Sequence, residues 1–317
     1  MNRIIFWTAA LIALAGLGCL VSLPKSFKST DLKEIRPESI RILLAGDMMF
    51  DRGITYMIEK YGDNDFKFPF LEIADDLQGA DIVFGNLEGP ISDKGMKVGS
   101  IYSFQNDPRA IDGLTFAGFN MISLANNHAF DYGREALEDC MTRLKNAGIT
   151  FAGAGFNENE AFSPAIKEIA GTKIGFLAYT NLGPITWRAE EERTGIAWIN
   201  DESFDSISRQ IQEAKQKTDI LIVSLHAGEE YQKEPTQFQL DFNEMAKQAG
   251  ADIVANHHPH IVQQNLYSLG NFIFDQGFSE ETMKSKIIEI TIKDKKIAEI
   301  SEKDVNINQF FQPEIKR

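Results

Sequence analysis

Five short apolar runs, separated by amphipathic stretches, limit the fold of this 317-residue chain more than any other feature of its sequence. The runs are IRILLAGD, ADIVFGNLE, FNMISLANN, DILIVSLHAG and ADIVANHH. The stretches with the apolar periodicity of helices are FPFLEIADDLQGA, DPRAIDGLTFAG, GREALEDCMTRLKNAG, SFDSISRQIQEAKQKT and TQFQLDFNEMAKQAG, and several of them end at a glycine. Strands that alternate with helices of this length predict an α/β fold with an at least partly parallel sheet.

Two further segments have the pattern of β-hairpins. SPAIKEIAGTKIGFLAYT is expected to turn at Gly171 and Thr172, and SKIIEITIKDKKIAEISEK is expected to turn near Asp294 and Lys295. Together they predict a second, more antiparallel sheet. No linker, internal repeat or low-complexity tract interrupts the later part of the chain, so residues 40–317 are predicted to form one domain.

The N-terminal segment predicts where the domain is located. In MNRIIFWTAALIALAGLGCLVSLPKS, an apolar run from Ile4 to Leu23 follows a basic start. The run is long enough to cross a bilayer and longer than the apolar part of an ordinary cleaved signal, which is about 7–15 residues. Residues 1–23 are therefore predicted to be a signal anchor, with a cleaved signal peptide or a lipoprotein signal ending at Cys19 as alternatives. Residues 24–39 form a polar tether, which places the domain at the extracytoplasmic face of the cell membrane.

The charge and cysteine content narrow the possible partners. The chain has 46 acidic and 32 basic residues, which gives a net charge of −14. Nucleic acid requires a basic surface, so it is excluded as a partner, and a polyanionic substrate needs a local cation to approach such a chain. The two cysteines, Cys19 and Cys140, provide no disulfide framework, and Cys140 lies in a helical pattern as a buried residue.

All five histidines lie in three short segments, each of which follows an apolar run. The polar residues that follow the five runs are Asp47; Asn86 and Glu88; Asn126, Asn127 and His128; His226; and His257, His258 and His260. Each group stands at the carboxyl end of a predicted strand, the edge where ligands bind in α/β sheets. We therefore expect these side chains to meet at one site.

The residue types in this set fit a transition-metal site, with another kind of polar catalytic site as the alternative, and a site with two metals could serve a hydrolase. Imidazole binds transition metals, and carboxylates add the charge that two neighbouring ions require. His258 and His260 are separated by one residue, which in an extended segment places both side chains on the same face. Motifs for other chemistries are missing, because the chain contains neither a G-x-S-x-G elbow nor a C-x-x-C pair.

Six motifs in series resemble the CapA family, which belongs to the calcineurin-like metallophosphoesterase superfamily. They are LLAGDMMFDRGI, NLEGPISDKG, SLANNHAFDYG, SLHAGEEY, GADIVANHHPHIVQ and YSLGNFIFDQ, and they extend from about Ile40 to Gln276. The resemblance implies a four-layer α/β/β/α sandwich of the metallophosphoesterase type. It also implies a role in poly-γ-glutamate capsule synthesis.

The resemblance assigns roles to individual residues. Asp47 and His260 would bind one divalent ion, Glu88 or Asn86 would bridge, and the ligands of a second ion would be Asn127, His226 and His258. His128 would contact the leaving group or the developing oxyanion, and Asp131 would orient it. Other residues expected in the pocket are Asn86, Asn126, Glu230 and His257. The metal would be Mn, Fe or Zn, as one or two ions.

Three positions depart from the superfamily pattern. Met49 stands where a metal-binding histidine is usual, NLE replaces the bridging aspartate, and Ala227 stands where CapA relatives usually carry tryptophan. A weaker first metal, or a single metal, is therefore expected at this site. Ala227, together with a segment between HPHIVQ and YSLGNF that is shorter than expected for the family, is also expected to alter the choice of substrate.

Three functions are compatible with these features. The first is a membrane-anchored, metal-dependent phosphoesterase-like hydrolase that acts in capsule synthesis or export. The alternative is a non-catalytic subunit that binds or guides polyglutamate in a synthase complex. The third, a secreted nucleotidase, rests on the superfamily alone and concerns free nucleotides, since the acidic chain has no basic groove. The expected partners are the capsule polymer or its precursor and membrane synthase subunits.

Overall fold

The computed structural model describes residues 39–98 and 101–316, which belong to one compact unit. The predicted signal anchor and nearly all of the predicted tether, together with Cys19, lie outside the described residues. Within the described part of the chain, no helix combines the length and the apolar character needed to cross a membrane.

Strands and helices alternate along most of the described chain. The strands are β1 (Ile40–Met48), β2 (Ile82–Leu87), β3 (Met121–Ser123), β4 (Thr150–Ala152), β5 (Ala154–Gly155), β6 (Ala165–Ile169), β7 (Thr172–Thr180), β8 (Gly195–Ile196), β9 (Ile220–His226), β10 (Ile253–His257), β11 (Val262–Gln263), β12 (Ser268–Leu269), β13 (Asn271–Ile273), β14 (Lys284–Lys293), β15 (Lys296–Ile307) and β16 (Pro313–Ile315). The α-helices are α1 (Arg52–Tyr61), α2 (Ala74–Leu77), α3 (Ala110–Phe116), α4 (Gly133–Asn146), α5 (Glu158–Phe162), α6 (Phe204–Lys217) and α7 (Gln237–Gln248). Single 3₁₀ turns lie at Phe68–Phe70, Ile185–Trp187, Asp201–Ser203 and Gln264–Leu266.

Two mixed sheets form the centre of the fold. The larger has the strand order β16-β15-β14-β1-β2-β3-β4, with β13 also paired to β1. Its β1 to β4 are parallel, whereas β14, β15 and β16 are antiparallel to their neighbours. The smaller sheet has the order β10-β9-β7-β6, in which only the β6–β7 pair is antiparallel. The mixed α/β architecture predicted from the alternating runs is therefore confirmed.

The inner faces of the two sheets share one apolar core. Phe84 of β2 stacks on Phe176 of β7 with ring centroids 5.4 Å apart, and both side chains are buried. A second core lies between the larger sheet and helices α1 to α4, and a third lies between the smaller sheet and helices α6 and α7. Because each sheet is covered on both faces, its central strands are continuous apolar runs rather than alternating ones.

The five apolar runs are strands β1, β2, β3, β9 and β10, and each of the five amphipathic stretches contains a helix. Helices α1 and α5 were not predicted. α1 has only two buried side chains, Ile54 and Ile58, which is a weak apolar pattern. Cys140 is buried in α4 as predicted, and its thiol is free.

Both predicted hairpins are present. The first turns at Ala170 and Gly171, one residue earlier than expected, with φ angles of 49° and 78°. The second turns at Asp294 and Lys295 with φ angles of 49° and 63°. Positive φ at both turn residues is typical of tight two-residue hairpins. The expectation that both hairpins build one second sheet is wrong, because the β14–β15 hairpin pairs with β1 in the larger sheet.

Candidate metal centre

The carboxyl ends of parallel strands from both sheets converge on one site. The register of β1 and β2 places Asp47 beside Asn86, and the register of β9 and β10 places His226 beside His257. A side-chain contact connects the two sheets, because Asn86 Nδ2 lies 3.1 Å from His226 Nδ1. The structure therefore brings together side chains as distant in the sequence as Asp47 and His260, whose Oδ2 and Nδ1 atoms lie 3.7 Å apart.

Asp47 is at the centre of the polar network and is fully buried. Its carboxylate accepts hydrogen bonds from Asn86 Nδ2 at 2.9 Å and from the backbone N–H of His258 at 3.0 Å. His257 Nδ1 lies 3.2 Å from the same carboxylate. Burial by itself would raise the pKa of Asp47, but the close imidazole of His257, followed by those of His226 and His260, outweighs burial and holds the pKa below its usual range. Asp47 is thus kept as a charged carboxylate.

Glu88 is the second buried carboxylate of the site, and unlike that of Asp47 its side chain accepts no hydrogen bond from the described residues. Both of its oxygens are buried without a hydrogen-bond partner among the described residues. Two imidazole nitrogens lie nearby, His128 Nε2 at 3.7 Å and His226 Nε2 at 3.9 Å. Burial and the negative charge of Asp47 raise the pKa of Glu88 well above its ordinary value. A carboxylate in these surroundings is costly unless a cation accompanies it.

His226 connects Asn86 to Asn127. Because Asn86 Nδ2 can only donate, His226 Nδ1 accepts, and the ring carries its proton on Nε2. That N–H donates to Asn127 Oδ1 at 2.8 Å. Two of the three residues predicted to bind the second ion, Asn127 and His226, therefore contact each other directly. Burial lowers the pKa of His226 well below its ordinary value, so the ring is neutral.

His258 and His260 occupy a turn rather than an extended segment. Their φ angles are 97° and 58°, in the left-handed region that non-glycine residues rarely adopt. The expected alternation of side chains along an extended strand is therefore wrong. The rings are nevertheless close, with centroids 5.8 Å apart, because the strained turn points both to one side.

Both rings of this turn are neutral and offer a free nitrogen. His260 Nδ1 donates to Asn271 Oδ1 at 2.8 Å, which leaves the lone pair of Nε2 available. His258 Nδ1 is buried and has no hydrogen-bond partner among the described residues. Burial and the neighbouring His260 lower the pKa of His258 to about 3, and burial also lowers the pKa of His260. Neutral imidazole is the form that binds metal ions.

His128 is held by Asp131 and Phe104. Its Nδ1 lies 2.7 Å from Asp131 Oδ2, which also accepts the backbone N–H of Phe104 at 2.8 Å. The imidazole stacks on the Phe104 ring at a centroid distance of 4.1 Å. These contacts fix the ring so that Nδ1 donates to the carboxylate and Nε2 faces Glu88.

The donors present at this site fit a divalent transition metal. Ligand atoms of Asp47, Glu88 and His260 lie within 4.8 Å of one another, and so do those of Glu230, His258 and His260. The unpaired carboxylate of Glu88 and the unpaired nitrogens of His257 and His258 are buried polar atoms that a cation could satisfy.

The site opens into a cavity of about 780 Å³. Of the four additional pocket residues predicted, Glu230 lines the cavity, whereas Asn86, Asn126 and His257 are fully buried beneath its floor. Asn126 acts from there, because its Nδ2 donates to the backbone oxygen of Leu87 at 2.7 Å and thereby ties the ends of β2 and β3 together.

Several cavity residues were not predicted, because they lie on connecting loops and helix ends. The side chains involved are Arg52, Val98, Tyr102, Phe104, Phe130, Trp187, Tyr231, Phe274, Asp275, Gln276 and Phe278. Arg52 forms an ion pair with Asp275, and its guanidinium lies 4.5 Å from the centroid of the Phe104 ring. Arg52 has a left-handed φ of 51° and directly follows Asp51, which caps the helix. Apolar periodicity does not predict such a backbone angle.

Met49, which stands at the missing histidine position, is buried, and its sulfur contacts the backbone. Its sulfur accepts the backbone N–H of Asp51 at 2.9 Å. Ala227, at the other departure from the family pattern, is also fully buried. Both departures from the family pattern are therefore buried residues of the core rather than cavity residues.

A mixed α/β fold that collects imidazoles, carboxylates and amides at one edge defines a protein built around a candidate metal centre. Residues 41–276 match the family model described as bacterial capsule synthesis protein PGA_cap. The chain belongs to this family of bacterial capsule synthesis proteins, which confirms the resemblance to CapA proteins expected from its motifs.

Curated relatives and solved structures are similar over most of the chain. The capsule biosynthesis protein CapA of Bacillus anthracis is 28% identical over 291 residues, which cover 88% of this chain and 70% of that protein. The PGA biosynthesis protein CapA of Bacillus subtilis is 29% identical over 259 residues, which cover 78% of this chain and 66% of that protein. A solved phosphatase from Mycoplasma pneumoniae superposes with a TM-score of 0.49 and 15% identity, over 84% of this chain and 94% of the phosphatase.

Proposed function

We propose that this protein is a metal-dependent hydrolase of the phosphoesterase type that acts in the synthesis or export of a poly-γ-glutamate capsule. The observation that carries the proposal is the fully buried Glu88 carboxylate, which has no hydrogen-bond partner among the described residues. An ionised carboxylate left in that state costs several kcal/mol, and a divalent cation bound beside it would remove this cost. A purely structural role for the cluster does not account for this unpaired group.

The residues around Glu88 have the protonation states that metal binding requires. Asp47 is charged, and His258 and His260 are neutral with a nitrogen lone pair free to bind. When bound, one or two ions of Mn, Fe or Zn supply Lewis acidity to a phosphoryl or carbonyl oxygen and lower the pKa of water.

The other side chains of the cavity would position the substrate and move a proton. His128, whose Nδ1 donates to Asp131, would present Nε2 to the leaving-group oxygen and, as the imidazolium, would give its Nε2 proton to that oxygen. Arg52, on the cavity wall, would bind an anionic group of the substrate. The aromatic side chains of the cavity exclude water from the remaining surface.

The names of the relatives support the biological setting. Two curated relatives are named as capsule or PGA biosynthesis proteins, and a relative in Mycobacterium tuberculosis that is 25% identical over 309 residues is named a probable polyglutamine synthesis accessory protein. We propose that the apolar N-terminal run anchors the domain to the outer face of the cell membrane. There it would act on the capsule polymer or its precursor, beside membrane subunits of a synthase.

The test compares metal content and turnover in three full-length proteins purified without chelator. These are the wild type, Glu88→Gln and the matched control Glu229→Gln, which makes the same chemical change on an exposed side chain. Elemental mass spectrometry measures bound ions. Hydrolysis is measured on p-nitrophenyl phosphate as a phosphoester probe and on γ-linked glutamate oligomers as an amide probe.

The wild type and Glu229→Gln should contain one or two ions per chain and hydrolyse one probe, and Glu88→Gln should lose both properties. Wild-type protein that is folded, free of metal and not activated by added Mn²⁺, Fe²⁺ or Zn²⁺ would refute the hydrolase proposal. If Glu88→Gln then still supported capsule formation in cells, the non-catalytic subunit that binds or guides polyglutamate would be the better function.

A further inference from the structure

A loop beyond the strand ends brings a third carboxylate to the centre. Glu230 lies on the segment that follows β9, and its side chain is exposed on the cavity wall. One of its carboxylate oxygens lies within 4.8 Å of ligand nitrogens of both His258 and His260. Asp47 and Glu88 are fully buried, whereas Glu230 and His260 line the cavity.

The loop that carries Glu230 is fastened to the loop that carries the histidines. The backbone N–H of Tyr231 donates to the backbone oxygen of Pro259 at 2.8 Å, between the two imidazoles in sequence. Gln263 Nε2 donates to the backbone oxygen of Gln232 at 2.8 Å. Tyr231 has a φ of 64°, a strained angle that the surrounding contacts maintain. The position of Glu230 relative to His258 and His260 is therefore set by the backbone.

A chain of side-chain hydrogen bonds also leads from His260 to Tyr231, the neighbour of Glu230 in the sequence. His260 Nδ1 donates to Asn271 Oδ1 at 2.8 Å, and Asn271 Nδ2 donates to Gln276 Oε1 at 3.0 Å. Gln276 Nε2 then donates to the hydroxyl oxygen of Tyr231 at 3.0 Å. Tyr231 directly follows Glu230 in the chain, so these hydrogen bonds end beside the residue that carries the carboxylate. Metal ligands in proteins are commonly oriented by such outer hydrogen bonds.

Two imidazole nitrogens without a hydrogen-bond partner in the described part of the chain lie on this side of the centre, in addition to those of His257 beside Asp47. His258 Nδ1 has no hydrogen-bond partner among the described residues, and it is buried. His260 Nε2 has its lone pair free, because Nδ1 carries the proton. His226 Nε2, in contrast, already donates to Asn127. An ion that used the atoms as they stand would therefore bind near His258 and His260, where Glu230 offers the available carboxylate.

We propose that Glu230 is a metal ligand of this centre and binds from the cavity side together with His258 and His260. The inference rests on the proposed metal dependence of the protein. Two divalent ions carry four positive charges, and Asp47 and Glu88 balance two of them, so a third carboxylate brings the centre closer to neutrality. With one ion, Glu230 supplies the oxygen donor that completes the two-histidine set.

Mn²⁺ affinity tests this role without relying on turnover. Full-length wild type, Glu230→Gln and Glu229→Gln are stripped with chelator and titrated with Mn²⁺, and the free ion is followed by electron paramagnetic resonance. Glu229 is the adjacent, exposed carboxylate, so its variant controls for the loss of one negative charge. Because Glu230 is exposed, its replacement leaves the core intact, and circular dichroism and a thermal melt check the fold.

Glu230→Gln should raise the dissociation constant for Mn²⁺ by about tenfold or more. Even the loss of a residue that only orients a metal ligand lowers metal affinity by about 10–100-fold. Glu229→Gln should stay within about twofold of the wild type. Equal affinity of Glu230→Gln and wild type would overturn the inference and leave the metal-dependent function standing, as would equal weakening by both variants. A folded wild type that binds no Mn²⁺ would overturn the proposed function and this inference together.

Discussion

Acidification of the metal-free protein should destabilise it through His258. Burial and the neighbouring His260 lower the pKa of this imidazole from 6.5 to about 3 in the folded chain. Below an ordinary pKa of 6.5 the unfolded chain therefore binds a proton that the folded chain does not bind. The contribution of His258 to stability is fully present above that value and is lost as the pH falls towards about 3.

The size of the loss follows from the shift. Each unit of pKa difference is equivalent to about 1.4 kcal/mol, so the full shift corresponds to about 5 kcal/mol below about pH 3. At about pH 5 the loss from His258 alone is about 2 kcal/mol relative to about pH 7.5. The pKa values of His226 and His260 are also lowered, so their losses add. Glu88 acts in the opposite direction, since its raised pKa makes the folded chain bind the extra proton above about pH 4.5.

Urea unfolding of the chelator-treated protein at about pH 7.5 and about pH 5 measures this dependence. His258→Asn is the informative variant, because asparagine tolerates the left-handed backbone at this position and does not titrate. The free energy of unfolding of the variant should fall by about 2 kcal/mol less between the two conditions than that of the wild type. If the two proteins lose the same free energy on acidification, the neutral, desolvated state assigned to His258 is incorrect.

Three further perturbations have defined outcomes. Asp131→Asn should lower kcat on the hydrolysed probe by about 10²–10⁴-fold, because His128 loses the carboxylate that orients it. The metal content of the variant should be unchanged. Loss of metal would instead show that Asp131 is part of the ion site. Arg52→Gln should raise KM for an anionic substrate by about tenfold with kcat nearly unchanged. The control is Arg109→Gln, which removes an exposed ion pair with Asp107 and should leave KM unchanged. Equal KM values in the two variants would show that Arg52 does not bind the substrate. Burial raises the pKa of Cys140 to about 12, so its thiol should react with iodoacetamide at about pH 8 only after unfolding in urea. Peptide mass spectrometry measures the alkylation. Rapid labelling without urea would contradict the burial of this thiol.

Local pattern was sufficient to find the elements that carry the site. Apolar runs of strand length end just before Asp47, Asn86 and His226, and each of these runs is a strand of the structure. The parallel arrangement was also predictable, since helices separate the runs and return the chain to the same edge. What failed at this level was the assignment of the β14–β15 hairpin, because strand periodicity does not specify which sheet a strand joins.

The chemistry of individual side chains was less predictable. His258 and His260 were expected in an extended segment, and a left-handed turn aims them instead. Glu230 was expected only as a pocket residue, since its distance to the histidines depends on the hydrogen bond between Tyr231 and Pro259. Such contacts join loops that are distant in sequence, and no periodic pattern records them.

By itself, the sequence determined that strands end in histidines, carboxylates and amides, because residue type and apolar period are local properties. The packing of one sheet on the other decided that Asn86 of the larger sheet contacts His226 of the smaller one. The same packing left Glu88 buried without a partner and lowered the pKa values of the neighbouring imidazoles. Burial and pairing are properties of the assembled core, since water is excluded only when both sheets and the covering loops are in place.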